Sequence, residues 1–148
     1  MDIDFLAVQE TKIKTTNEIE INEFQNTEKT HTLYHTTADP KGQGGVGILL
    51  KNKFKKIIKS KKSISPRILS ITLMNNPEIT IISVYSPTNE SEDEAKKTFY
   101  DQLSEYITSL PKHNLIVIAG DLNTLIVLYS NILVPRNMER LCISKNHL

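Results

Sequence analysis

Five consecutive apolar residues, Leu115-Ile116-Val117-Ile118-Ala119, stop at Gly120 and Asp121. A run this short and this uniformly apolar is typical of a central strand covered on both faces. The chain must therefore supply a layer on either side of a sheet. One candidate precedes the run. Ser91 and Glu94 stand at capping-box spacing, and Ala95, Phe99, Leu103, Tyr106, Ile107 and Leu110 recur at helical intervals until Pro111 ends the pattern. Strands and helix are mixed, and α/β is the expected class.

Other segments fill in the sheets. Phe5-Leu6-Ala7-Val8 reads as a buried strand that ends at the polar Gln9-Glu10. From Lys14 to Pro40 the pattern is polar, and it predicts an irregular helix or loop followed by a short strand. Gly42-Gln43-Gly44-Gly45 reads as a turn into the strand Val46–Leu50, and it lacks the Lys-Ser/Thr of a phosphate-binding P-loop. Ile68–Met74 and Ile79–Tyr85 flank Asn75-Asn76-Pro77 and so predict an antiparallel hairpin. Arg136–Asn146, with Met138, Leu141 and Cys142, is expected to form a short helix. A chain of 148 residues supports one domain with a real core.

Charge and cysteine usage exclude several function classes. With 18 Lys+Arg against 17 Asp+Glu, there is no long-range field, so any contact with DNA must be local. Cys142 is the only cysteine, which rules out an internal disulfide and a thiolate zinc site and points to an intracellular chain. Leu115–Ala119 and Leu125–Leu128 fall short of a membrane span, and no basic-then-apolar leader opens the sequence. Neither secretion nor membrane insertion is expected.

Two carboxylates occupy equivalent places: Glu10 follows the strand Phe5–Val8, and Asp121 follows Leu115–Ala119. Sites commonly form where strand ends open onto loops, so the two acids can flank one ion and one phosphate. Hard Mg²⁺ prefers carboxylate and water ligands, and one directly bound carboxylate suffices. On position alone, however, both acids read first as strand ends in water, and Tyr85 as a core aromatic with its hydroxyl at the rim. The basic run Lys51, Lys53, Lys55, Lys56, Lys59, Lys61 and Lys62 reads first as an edge strand guarded by lysines. Contact with DNA phosphates is its other reading. His31, His35, His113 and His147 are expected at the surface.

Four segments in order change these readings. Asp4-Phe5-Leu6-Ala7-Val8-Gln9-Glu10-Thr11-Lys12, Gly44-Gly45-Val46-Gly47-Ile48, Ser83-Val84-Tyr85-Ser86-Pro87-Thr88-Asn89 and Ala119-Gly120-Asp121-Leu122-Asn123 resemble the motifs of the endonuclease/exonuclease/phosphatase superfamily. The resemblance is closest to non-LTR retrotransposon endonucleases of apurinic/apyrimidinic type and to the craniofacial-development-protein-like sequences derived from them. It covers residues 4 to 124 and continues faintly through Arg136–Leu141. It implies a DNase I-like fold, here a partial two-sheet β-sandwich with flanking helices, in residues 1–124, with 125–148 a shortened tail of the same domain. It implies Glu10 as the metal ligand for Mg²⁺ or Mn²⁺, and Asp121 as the group that orients or deprotonates the attacking water. Asn123 would hold that water and the phosphate, and Tyr85 would bind the phosphate. The implied partners are DNA and a reverse transcriptase domain in the parent protein, and action on chromosomal DNA would place the chain in the nucleus.

The pattern also departs from the family. Complete members place a strand ending in Asn upstream of the Gln-Glu motif and an Asp-His pair near the C-terminus, and the sequence shows neither. Impaired hydrolysis is one expectation. Others are an inactive remnant that acts at most as a binding module, and a phosphatase or phosphodiesterase of the same superfamily.

Overall fold

The computed structural model describes residues 3–15, 19–22, 29–40, 42–123 and 141–144. In chain order the elements are β1 (Phe5–Val8), β2 (Ile19–Asn22), β3 (Lys29–His35), β4 (Gly47–Lys51), a 3₁₀ turn (Asn52–Ile57), β5 (Ile58–Ser65), β6 (Ile68–Leu73), β7 (Ile79–Tyr85), α1 (Asp93–Ser109), β8 (Leu115–Asp121) and β9 (Leu141–Ser144). They build the expected two-sheet α/β architecture. The first sheet runs β1-β4-β3-β2 and is antiparallel throughout. The second runs β5-β6-β7-β8-β9, antiparallel as far as β7 and parallel from β7 through β9. The helix connects β7 to its parallel neighbour β8, since a parallel pair needs a long crossover.

Side-chain alternation sorts the core into two layers. Tyr34, Val46, Ile48 and Leu50 of the first sheet meet Leu69, Ile71, Leu73 and Ile81 of the second. The intervening positions of the second sheet, Ile68, Ile82, Val84 and Ile116, pack beneath Phe99, Leu103 and Tyr106 of α1. All six residues of β6 are buried, as befits a strand covered on both faces. Its Ser70 and Thr72 stay inside because Tyr106 donates to Ser70 Oγ at 2.8 Å and Thr72 bonds Thr80 at 3.1 Å.

Three expectations need correction in whole or in part. The helix takes Glu92 as its N-cap, with no side-chain capping bond. Ser91 instead closes the preceding turn, with its amide donating to Thr88 O at 3.0 Å and its hydroxyl 3.1 Å from Thr88 Oγ1. Residues 14–40 end in the expected short strand, β3, but a further strand, β2, precedes it where a helix or loop is expected, and no helix lies among the described residues of this segment. The expected helix Arg136–Asn146 is overturned where it is described, because Leu141–Ser144 pairs with β8 as a parallel strand. The rest of that helix, the Leu125–Leu128 run and His147 lie outside the described residues.

Candidate active site

The segment that presents Glu10 is zipped to a glycine pair. Thr11 N donates to Gly45 O at 3.0 Å, Lys12 N to Gly44 O at 3.3 Å, and Gly45 N to Pro66 O at 2.9 Å. A Cβ on Gly45 would stand 2.4 Å from Thr11 Oγ1, so this approach requires glycine. Within it, Glu10 and Lys12 adopt left-handed backbone, with φ of 53° and 52°. The turn predicted at Gly42–Gly45 thus also anchors the Glu10 segment.

Tyr85 and Asp121 end neighbouring parallel strands and are paired in register. One step earlier Val84 faces Gly120, where a Cβ would lie 2.0 Å from Val84 O at φ 144°. That contact explains why glycine precedes the aspartate. Beyond the strands, Ser86 N donates to Asp121 O at 2.8 Å. Asn123, at φ 45°, donates its amide N–H to Asp121 Oδ1 at 2.9 Å and its Nδ2 to Ser86 O at 2.8 Å. Asp121 and Asn123 are therefore locked to one another and to the end of β7.

The two sheets meet at this end through a side-chain bond, in which the Tyr85 hydroxyl donates to Glu10 Oε1. The other oxygen, Oε2, lies 4.0 Å from Lys12 Nζ, with both side chains more than half exposed. The hydrogen bond to Glu10 raises the Tyr85 pKa above the usual 10.0; partial desolvation and the Glu10 charge add to this, and Arg67 opposes it. Arg67 Cζ lies 5.0 Å from the Tyr85 ring centroid, and Nη1 donates to Tyr85 O at 3.3 Å. Glu10, Tyr85, Asp121 and Asn123 thus gather at one end of the sandwich. The expected role of Tyr85 gains a qualification: its single O–H is spent on Glu10.

The donor set bears on which ion it can hold. Among the described residues, no three His, Cys, Asp or Glu side chains converge. The described residues therefore offer no closed set of protein ligands. A hard divalent ion fits, since Glu10 keeps one oxygen clear of the Tyr85 bond and such ions retain several waters.

The lysines do not join this cluster. In the antiparallel pair β1/β4, Val8 faces Gly47 and Phe5 faces Leu50, so Lys51 and the 3₁₀ turn begin at the opposite end of β1 from Glu10. There Lys51 N donates to Asp4 O at 2.9 Å, and Lys53 Nζ pairs with Asp4 at 2.5 Å and stands 4.7 Å from the Phe54 ring. Lys55 and Lys56 close the same turn. Farther on, β5 is an edge strand, with Lys59 paired to Glu78, Lys61 4.8 Å from the Tyr34 ring and Lys62 5.7 Å from the Tyr106 ring. His31 corrects the surface expectation: it is buried, with Nε2 2.9 Å from Ile3 O and Nδ1 2.8 Å from Thr30 Oγ1.

Two residues of the site escaped the sequence reading. Ser86 contributes backbone groups, which its side-chain type does not reveal. Arg67 was findable, because a hairpin that pairs Ile68 with Val84 places Arg67 beside Tyr85.

The model of the Endonuclease/Exonuclease/phosphatase family matches residues 1–126. Craniofacial development protein 2 of Bos taurus is 24% identical over 124 residues, which cover 83% of this chain and 20% of the relative. The protein of the same name from Tragulus javanicus is 23% identical over 124 residues, with the same shares. The chain spans about a fifth of the length of these curated relatives.

Proposed function

The chain belongs to the endonuclease/exonuclease/phosphatase family, and from this we infer that the cluster of Glu10, Tyr85, Asp121 and Asn123 hydrolyses phosphodiesters of DNA with a divalent ion, Mg²⁺ or Mn²⁺. The observation that carries the reading is the Tyr85–Glu10 bond across the two sheets, beside an Asp121 locked to Asn123. It supports reading Glu10 as the metal-holding carboxylate and Asp121 as the base, since the two lie on either side of Tyr85.

Each residue has a chemical task. Glu10 would hold the ion, whose chemistry when bound would be to neutralise charge on the phosphate and at the leaving oxygen. Asp121 takes the proton of the attacking water. Asn123 gives one N–H to Ser86 and keeps a second N–H and Oδ1 for the phosphate and the water. Tyr85 aligns Glu10 and passes its hydroxyl to the phosphate when substrate arrives. The exposed position of Glu10 suits a polymer backbone laid across the site. In a retroelement parent, the nicked end would then prime an attached reverse transcriptase.

Nicking of supercoiled plasmid tests the assignment. Relaxation should require Mg²⁺ or Mn²⁺, stop with EDTA, and fall by roughly 10²–10⁴-fold in Asp121→Asn, the range for loss of a general base. Nicking that survives EDTA or Asp121→Asn would sink it. Hydrolysis of small phosphomonoesters in preference to plasmid would move the chain to the phosphatase branch, and a folded, inert chain would mark a remnant.

A further inference from the structure

The dipeptide Pro66-Arg67 touches both halves of the site. Pro66 O accepts from Gly45 N at 2.9 Å and from Thr36 Oγ1 at 3.2 Å, and Gly45 in turn carries Thr11, the neighbour of Glu10. Arg67 O accepts from Tyr85 N at 2.9 Å. The guanidinium then bends onto Tyr85 itself, 5.0 Å from the ring centroid and 3.3 Å from the carbonyl oxygen. We propose that Arg67 is a positioning residue, which holds the Tyr85 ring so that its hydroxyl reaches Glu10 Oε1.

The shape of the guanidinium fork makes this possible. A planar guanidinium can lie over an aromatic face while one of its N–H groups reaches a nearby carbonyl, whereas an ammonium is a point charge without that fixed plane. A phenol on a strand end would otherwise rotate about χ1 between staggered wells, and only one of these aims its hydroxyl at a residue of the other sheet. Arg67 thus fixes a contact that it does not itself make. The proposal rests on the functional reading for its catalytic consequence, and on geometry alone for the contact.

The test is arranged so that the two can fail separately. The chain has five tyrosines, and labelling them with ¹³C at Cζ lets Tyr85 be assigned by its disappearance in Tyr85→Phe. In the metal-free protein, Glu10→Gln should displace the Tyr85 resonance, and Arg67→Met should reproduce most of that displacement. If Arg67→Met does not fold, Arg67→Lys, which keeps length and charge, is read on the same signal. A Tyr85 resonance that ignores the Arg67 substitution in a folded variant overturns the proposal, as does one that ignores Glu10→Gln. With active protein, Arg67→Met should cost about tenfold in kcat with Tyr85 present and almost nothing on a Tyr85→Phe background, as expected of residues acting as a unit. Equal losses on both backgrounds would make Arg67 a direct substrate contact and overturn the positioning role. An inert wild type defeats the functional reading, and the resonance alone then decides Arg67.

Discussion

Glu10 sits where its backbone is least comfortable. A left-handed φ of 53° costs a non-glycine residue roughly 1–2 kcal/mol, and the amides of Thr11 and Lys12, bonded to Gly45 and Gly44, maintain it. Its partner Tyr85 carries a signature of the arrangement. Because the bond to Glu10 favours the neutral phenol, the folded pKa stands above the unfolded 10.0. The folded state therefore binds more protons than the unfolded state as pH passes 10.0. The stability from this bond is fully present below that pH and is lost as pH rises through the folded value. Urea midpoints measured between pH 9 and pH 11 should fall less steeply in Tyr85→Phe than in wild type. Parallel curves would show that the hydroxyl is not held by Glu10.

Among the strands and the helix, the tightest tolerance is where β7 meets β8. A methyl at Gly120 would press into the Val84 carbonyl at a backbone angle that L-residues avoid. Gly120→Ala should therefore cost more than about 1 kcal/mol, the usual excess for alanine at a positive φ, read as a lowered midpoint in chemical denaturation. An unchanged midpoint would mean that the β7–β8 spacing is looser than the structure has it. The same strands show what a sequence discloses. The β6–β7 hairpin and β8 were legible because apolar runs end at turn formers, and the helix because Phe99, Leu103 and Tyr106 keep its period. β3 stands where a short strand is expected before Pro40, but β2 does not follow from the pattern, nor does the burial of Thr32 and His31, which rests on hydrogen bonds to Asn52, Thr30 and Ile3 that no periodicity encodes. β9 was misread because pairing with β8 overrode a weak local preference for helix. Glu10, Asp121 and Asn123 could be found from motif and strand-end position. Arg67 required knowing how two strands pair.

Taken together, the sandwich has two unlike ends. The site occupies the end where β1, β7 and β8 finish, and the lysines of the 3₁₀ turn occupy the end where β1 begins. Under the proposed nuclease reading, nucleic acid held at the site should ignore that remote group. Lys53→Ala combined with Lys56→Ala should change the slope of log K against log salt by less than about 0.9, the value for one phosphate contact, in DNA-binding titrations. A steeper change would put DNA across the lysine end as well. The cross-layer bond has one more consequence. Glu10 follows a strand of one sheet while Tyr85 and Asp121 end strands of the other, so the distance between the two carboxylates is set by how the layers are stacked. Any sideways slip of the sheets would open that gap before a single strand came apart. Under the proposed nuclease reading, gentle warming should therefore make cutting fade while circular dichroism still reports an intact chain, and cooling should restore it.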